Sequence, residues 1–222
     1  MLRAEPSVRV AVVVLAAGSG RRLGLGPKAH VMLGEMTFLS RILRACHDAR
    51  LGQAYVVRSL DDDRLAPLGD DSIHGGLSID SDAVPNAPPM SVRVVTNEDP
   101  ARGMSSSVHE GLAAAARDGA AGVLVFPVDI PLVHAATLRL LAATIEGQPG
   151  AWARPLFDGK GGHPVALGAL LVRRVLARGP ATPLRDALRE EAAPAIEVAC
   201  DDAGVLEDID LPDDLARARG LL

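Results

Sequence analysis

The sequence predicts an α/β fold, a single domain over residues 1–222 with a three-layer, mainly parallel sheet. Three observations carry this. Short β-branched apolar runs recur at Arg9 to Ala16, Ala54 to Val57, Val92 to Thr96 and Val123 to Val128, as expected of strands covered on both faces. Segments long enough for a helix or loop separate them, which is the alternation of βαβ units. At 222 residues, 48% hydrophobic and 23% charged, the chain can bury a sizeable core in one α/β domain, or less simply in two small ones.

The first run stops at a glycine cluster. Thr37 to Arg50 then places Phe38, Leu39, Ile42, Leu43 and Ala45 mainly on one helical face, with Gly52 positioned to end the helix. Residues 69–90 turn polar and rich in Gly, Pro and Asp without periodicity, which reads as a long surface loop inserted in the domain. Ser107 and Glu110 fit a capping box ahead of an Ala-rich helix to about Asp118, and Ala135 to Glu146 is a second amphipathic segment. After Gly150 come an extended stretch to Phe157, a glycine turn at Gly159 to Gly162 and an apolar run at Pro164 to Leu167. Helical segments near Ala169 to Arg178 and Pro183 to Glu191 and a strand at Ile196 to Cys200 complete the chain's second half, which reads as substrate-binding elaboration on the same sheet.

Composition excludes several functions. Aromatics are 2% of the chain, so stacking bases on an aromatic platform is disfavoured, and a formal charge of -5 with no dense basic run argues against a nucleic-acid partner. Cys46 and Cys200 lie far apart in no metal-binding or disulfide spacing. The run Val10 to Ala17 is too short for a bilayer, which takes about 20 residues. With Arg3 and Arg9 before it, the run mimics a signal peptide, but the basic, glycine-rich segment that follows is a poor cleavage site. The cytoplasm is the expected location and no membrane partner is expected.

Five constellations carry chemistry. Leu15-Ala16-Ala17-Gly18-Ser19-Gly20-Arg21-Arg22-Leu23-Gly24, continuing to Lys28, follows the first strand. Its glycines let backbone N–H groups approach phosphate oxygens, while Arg22 and Lys28 can neutralise a polyphosphate. It is neither a P-loop nor a complete Gly-x-Gly-x-x-Gly, and on spacing alone a solvated turn is the alternative. Asp129, in Phe126-Pro127-Val128-Asp129-Ile130-Pro131, stands at the carboxyl end of a predicted central strand, where a carboxylate can hold Mg²⁺ or merely cap a turn. Asn97 and Gly103-Met104-Ser105-Ser106-Ser107 sit at a helix start suited to an anion, although ordinary capping also explains Ser107. Gly161-Gly162-His163-Pro164 has no partners at metal spacing. In Asp208-Ile209-Asp210-Leu211-Pro212-Asp213-Asp214, Pro212 suits the first helical position and Asp213 and Asp214 complement the helix dipole. Asp210 is placed to join Asp129 around Mg²⁺, with Asp208 a weaker candidate.

In this order the motifs resemble those of the molybdopterin cytidylyl- and guanylyltransferases, within the wider nucleotidyltransferases of glycosyltransferase-A-like, Rossmann-like fold. The resemblance runs from about Val8 to Ala218, interrupted at 69–90. Leu23 replaces the family's Met and Leu211 its Thr. The resemblance implies Mg²⁺-dependent transfer of CMP from CTP to the terminal phosphate of molybdopterin. Leu15, Ala16, Ala17, Gly18, Ser19, Gly20 and Asn97 would bind nucleotide with Arg22 and Lys28, which with Asp129 would also be catalytic. Asp129 and Asp210 would hold the metal, and Gly103, Met104, Ser105, Ser107 and His163 the acceptor. Ala17 in place of Gly, Gly-His-Pro and Asp-Ile-Asp favour CTP over GTP, and a molybdenum hydroxylase apoenzyme is the implied partner. The alternatives are guanylyl transfer, a sugar or other small phosphate as acceptor, or a catalytically silent protein that carries the cofactor.

Overall fold

The computed structural model describes residues 10–65 and 90–222. The basic residue Arg9, the start of the signal-like segment and all of the predicted 69–90 loop except Met90 lie outside them.

Strands β1 (Val10–Leu15), β4 (Gln53–Ser59), β5 (Ser91–Asn97), β6 (Gly122–Pro127), β7 (Trp152–Phe157) and β10 (Ala195–Ala199) form the main sheet with the short β9 (Val165–Gly168), in the order β10-β7-β9-β6-β1-β4-β5. A small hairpin separately pairs β2 (Met32–Leu33) with β3 (Met36–Thr37), and β8 (Lys160–Gly161) folds back on β7. The pairs β1–β4, β4–β5, β1–β6 and β7–β10 are parallel, whereas β9 runs antiparallel to both β6 and β7. One reversed strand thus joins two parallel groups that point the same way, and six carboxyl ends meet at one edge of the sheet.

Alternation along β1 explains the three layers. Val10, Val12 and Val14 face one core with α1 (Phe38–Asp48) and α3 (Ala135–Ile145), while Ala11, Val13 and Leu15 face the other with α2 (Met104–Arg117), α4 (Ala169–Ala177) and α5 (Leu184–Glu190). Every β1 residue is buried, so this strand has no polar face to present. The last helix, α6 (Pro212–Arg219), packs Leu215 and Ala218 into the first core.

Two helix ends differ from expectation. Thr37 caps α1 by accepting from the Ser40 N–H at 3.1 Å, but its far end is turned by Arg50, at φ 62°, rather than by Gly52. Helix α2 begins at Met104, so Ser107 is an interior helical residue and no capping box forms. The turn Pro100–Arg102 delivers the chain to Gly103, whose φ of 82° starts the helix four residues earlier than the Ser-x-x-Glu spacing suggests. Part of the predicted turn at Gly159 to Gly162 is the strand β8.

Candidate active site

Beyond β1 the Ala16 N–H continues the ladder to the Val57 carbonyl, at 2.8 Å, and the chain then folds back on itself. The Gly20 carbonyl accepts from Leu23 and Gly24, and the Lys28 N–H donates to Gly18 at 3.3 Å. Gly20 is at φ 60°, and a Cβ there would run into the Gly26 carbonyl oxygen, so this reversal requires glycine. It carries Lys28 under the loop on the short turn Lys28–His30. His30 Nε2 lies 2.9 Å from the buried Asp62 carboxylate, which fastens that turn to the segment after β4.

Asp129 lies two residues past β6, and the Ile209 N–H donates to its carbonyl at 2.9 Å. That bond brings the Asp208–Asp210 segment alongside. Asp214 accepts from the Asp210 and Leu211 N–H groups at 3.2 and 2.9 Å and so caps α6. The Leu211 N–H chiefly, against some desolvation, holds the Asp214 carboxyl below the usual range.

These connections place Lys28 Nζ between two carboxylates, 2.8 Å from Asp129 Oδ2 and in contact with Asp210 Oδ1. Arg22 Nη1 reaches the other Asp210 oxygen at 2.8 Å from an exposed position. Burial alone would lower the Lys28 pKa, but hydrogen bonds and charge from Asp129 and Asp210 outweigh it and raise the ammonium above its ordinary value. Asp129, Asp208 and Asp210 each offer an oxygen, all within 4.8 Å of one another. Burial, then the charges of Asp129 and Asp210, push the Asp208 carboxyl up. Three hard oxygen donors this close together, two of them on the Lys28 ammonium, could hold a divalent cation.

A cavity of about 710 Å³ opens above this cluster, lined by Leu15, Ala17, Gly18, Ser19, Gly20, Arg22, Lys28, Asp129 and Asp210, with Gly103 and Met104 at one side. A second cavity, about 460 Å³, shares Leu15, Met104 and Pro127 with the first and is walled by Ser105, Trp152, Arg154, His163, Leu184 and Leu188. The Arg154 guanidinium lies 5.9 Å from the centre of the Trp152 ring. His163 is held there by its N–H bond to the Val205 carbonyl, at 3.0 Å. Protein packed around the His163 ring lowers its pKa, an effect Asp129 opposes.

Three residues expected to contact ligand line neither cavity. Asn97 is 2% exposed; its amide donates to the Ser106 and Ser107 hydroxyls, each at 2.9 Å, and its carbonyl oxygen accepts from Asp99. Ser107 is buried in that same network. Both brace the entry to α2 from within. Ala16 is likewise buried, with its N–H spent on Val57. Conversely, sequence reasoning did not single out Arg154, Leu184, Leu188, Ser59 or Asp61 as cavity residues. Trp152, the chain's one tryptophan, offered a signal for the second cavity.

A family model described as MobA-like NTP transferase domain matches residues 12–196. Over 136 residues the chain is 40% identical to the bifunctional enzyme IspD/IspF of Clavibacter michiganensis subsp. michiganensis, and over 135 residues 30% identical to the bifunctional protein GlmU of Leifsonia xyli subsp. xyli. Each match covers 60% of this chain but only 27% and 24% of the relative, so the chain spans about a quarter of their length. Among solved structures, a nucleotidyl transferase from Methanothermobacter thermautotroptrophicus superposes with a TM-score of 0.72 at 25% identity, covering 96% of this chain and 97% of that one. Rv0371c from Mycobacterium tuberculosis gives 0.70 at 21% over 96% and 98%, and a 2-C-methyl-D-erythritol 4-phosphate cytidylyltransferase from Thermus thermophilus 0.63 at 21% over 96% and 98%. The latter two likenesses concern the fold. No described helix is long and apolar enough to cross a membrane.

Proposed function

We propose that this chain, which belongs to the MobA-like NTP transferase family, is a single-domain nucleotidyltransferase that moves CMP from CTP to the terminal phosphate of a molybdopterin-type acceptor and releases pyrophosphate. The observation that carries the reading is the Lys28–Asp129–Asp210 cluster, with Arg22, beneath a glycine loop at the sheet edge where open α/β folds bind ligands. The family resemblance of the motifs supports the choice of CTP and of the acceptor.

The loop backbone from Ala17 to Gly20 holds the nucleotide against the end of β1. Lys28 and Arg22 leave their carboxylates for the triphosphate and neutralise the charge that grows on the departing pyrophosphate. Asp129 and Asp210, with Asp208 beside them, are the residues that would hold Mg²⁺, which supplies charge neutralisation and polarises the α-phosphate when bound. Met104, Ser105 and His163 orient the acceptor in the adjoining cavity, so that an oxygen of its terminal phosphate faces the α-phosphorus. The new bond forms from that oxygen as the bond from the α-phosphorus to the bridging oxygen breaks. Positioning and charge do the work, and no protein nucleophile is required.

Calorimetric titration of CTP, GTP, ATP and UTP, with and without Mg²⁺, tests the reading. Selective, Mg²⁺-enhanced binding of CTP is expected. Preference for GTP would move the protein to the guanylyl branch, and CMP transfer to sugar phosphates but not to molybdopterin would overturn the acceptor.

A further inference from the structure

The segment Asp129–His134 and the segment Asp202–Asp210 run side by side, and each brings a carboxylate to the cluster around Lys28. They are fastened at both ends. At one end the Ile209 N–H donates to the Asp129 carbonyl at 2.9 Å. At the other, Asp202, 2% exposed, accepts through Oδ2 from the His134 N–H at 2.8 Å and the Thr137 hydroxyl at 2.6 Å, and through Oδ1 from the Gly204 N–H at 3.0 Å. Between them the turn Ala203–Leu206 lies so close to Leu132 that a Cβ on Gly204 would meet the Leu132 carbonyl oxygen. The same turn supplies the Val205 carbonyl that receives the His163 N–H.

We infer that Asp202 is a positioning residue for the carboxylate cluster, a buried anchor that sets the spacing of Asp208 and Asp210 from Asp129 without touching any ligand. The inference rests on the metal-binding reading of that cluster. A buried carboxylate is costly unless its oxygens are satisfied, and here donors from α3, its leading residue and the turn satisfy both. Both oxygens therefore serve as acceptors at once. An asparagine has the same shape but only one carbonyl oxygen, and its NH₂ would face either the His134 or the Gly204 N–H, donor against donor. Losing either bond releases one end of the paired segments. The carboxylates at the other end then lose the fixed spacing that a small octahedral cation demands.

Titration of Mn²⁺ in the presence of CTP, followed by the electron paramagnetic resonance signal of free Mn²⁺, tests this on the folded protein. Asp202→Asn should weaken Mn²⁺ binding about tenfold and raise by a similar factor the metal concentration needed for half-maximal transfer. Thr137→Val removes one donor and should weaken it several-fold, whereas Thr137→Ser, which restores a hydroxyl, should return it to the wild-type value. The threonine pair decides the matter if Asp202→Asn does not fold. Variants that melt earlier but bind Mn²⁺ as tightly as the wild type would overturn the positioning role and leave the site reading intact. A wild-type protein that binds no Mn²⁺ would overturn the site reading, and this inference with it.

Discussion

Lys28 is nine-tenths buried and still charged because two carboxylates flank it. Its charge, together with that of Arg22 on Asp210, offsets the aspartates gathered here, since like charges so close would otherwise repel. Two effects of Lys28→Met follow. Turnover should be lost, because the triphosphate loses its buried counter-charge, and nucleotide-free protein should bind Mn²⁺ about tenfold more tightly, because the carboxylates lose their resident partner. Unchanged or weaker Mn²⁺ binding in that variant would show that Lys28 does not compete for the site. Lys28, Asp129 and Asp210 were legible in the sequence because each stands beside a glycine or proline landmark near the end of an element. Asn97 and Ser107 lie buried away from both cavities, a placement the sequence does not reveal, since a polar side chain at a helix start has the same sequence signature whether it turns outward to a ligand or inward to another side chain. Their neighbour Ser106, which donates to the Gly103 carbonyl at 2.9 Å, completes that inward network.

At the scale of elements, β1, β4, β5 and β6 were legible within a residue or two because short valine-rich runs bounded by turn residues and polar segments leave few alternatives. The start of α2 was not, because it depends on a backbone reversal at Gly103 rather than on a capping side chain. Nor was the second cavity, whose wall is made by β7 meeting α5, a contact between elements about 30 residues apart that no local pattern announces. Helix α1 shows the opposite case, where periodicity names the buried face directly. Ile42 is fully buried on it, and Ile42→Ala should cost about 2–5 kcal/mol by opening a void between α1 and the sheet. Denaturant unfolding would measure this as a lower midpoint at an unchanged slope. A loss below about 0.5 kcal/mol would mean that the core closes around the missing atoms.

Across the whole molecule, the reversed strand β9 lets six carboxyl ends share one edge while the chain's second half builds its own wall there. The two cavities at that edge adjoin, with Leu15, Met104 and Pro127 lining both. In the proposed reaction each substrate occupies one cavity, but the product spans both. It is therefore held like a tethered two-headed ligand, whose second head remains at high local concentration whenever the first lets go. Chemistry should then outrun departure, and rapid-quench measurements should show a burst of pyrophosphate, close to one per chain, before a slower steady state. A linear time course from the first turnover would place the slow step earlier. The shared wall thus makes the end of each cycle a question of hand-over, in which whatever next takes the product competes with two grips rather than one.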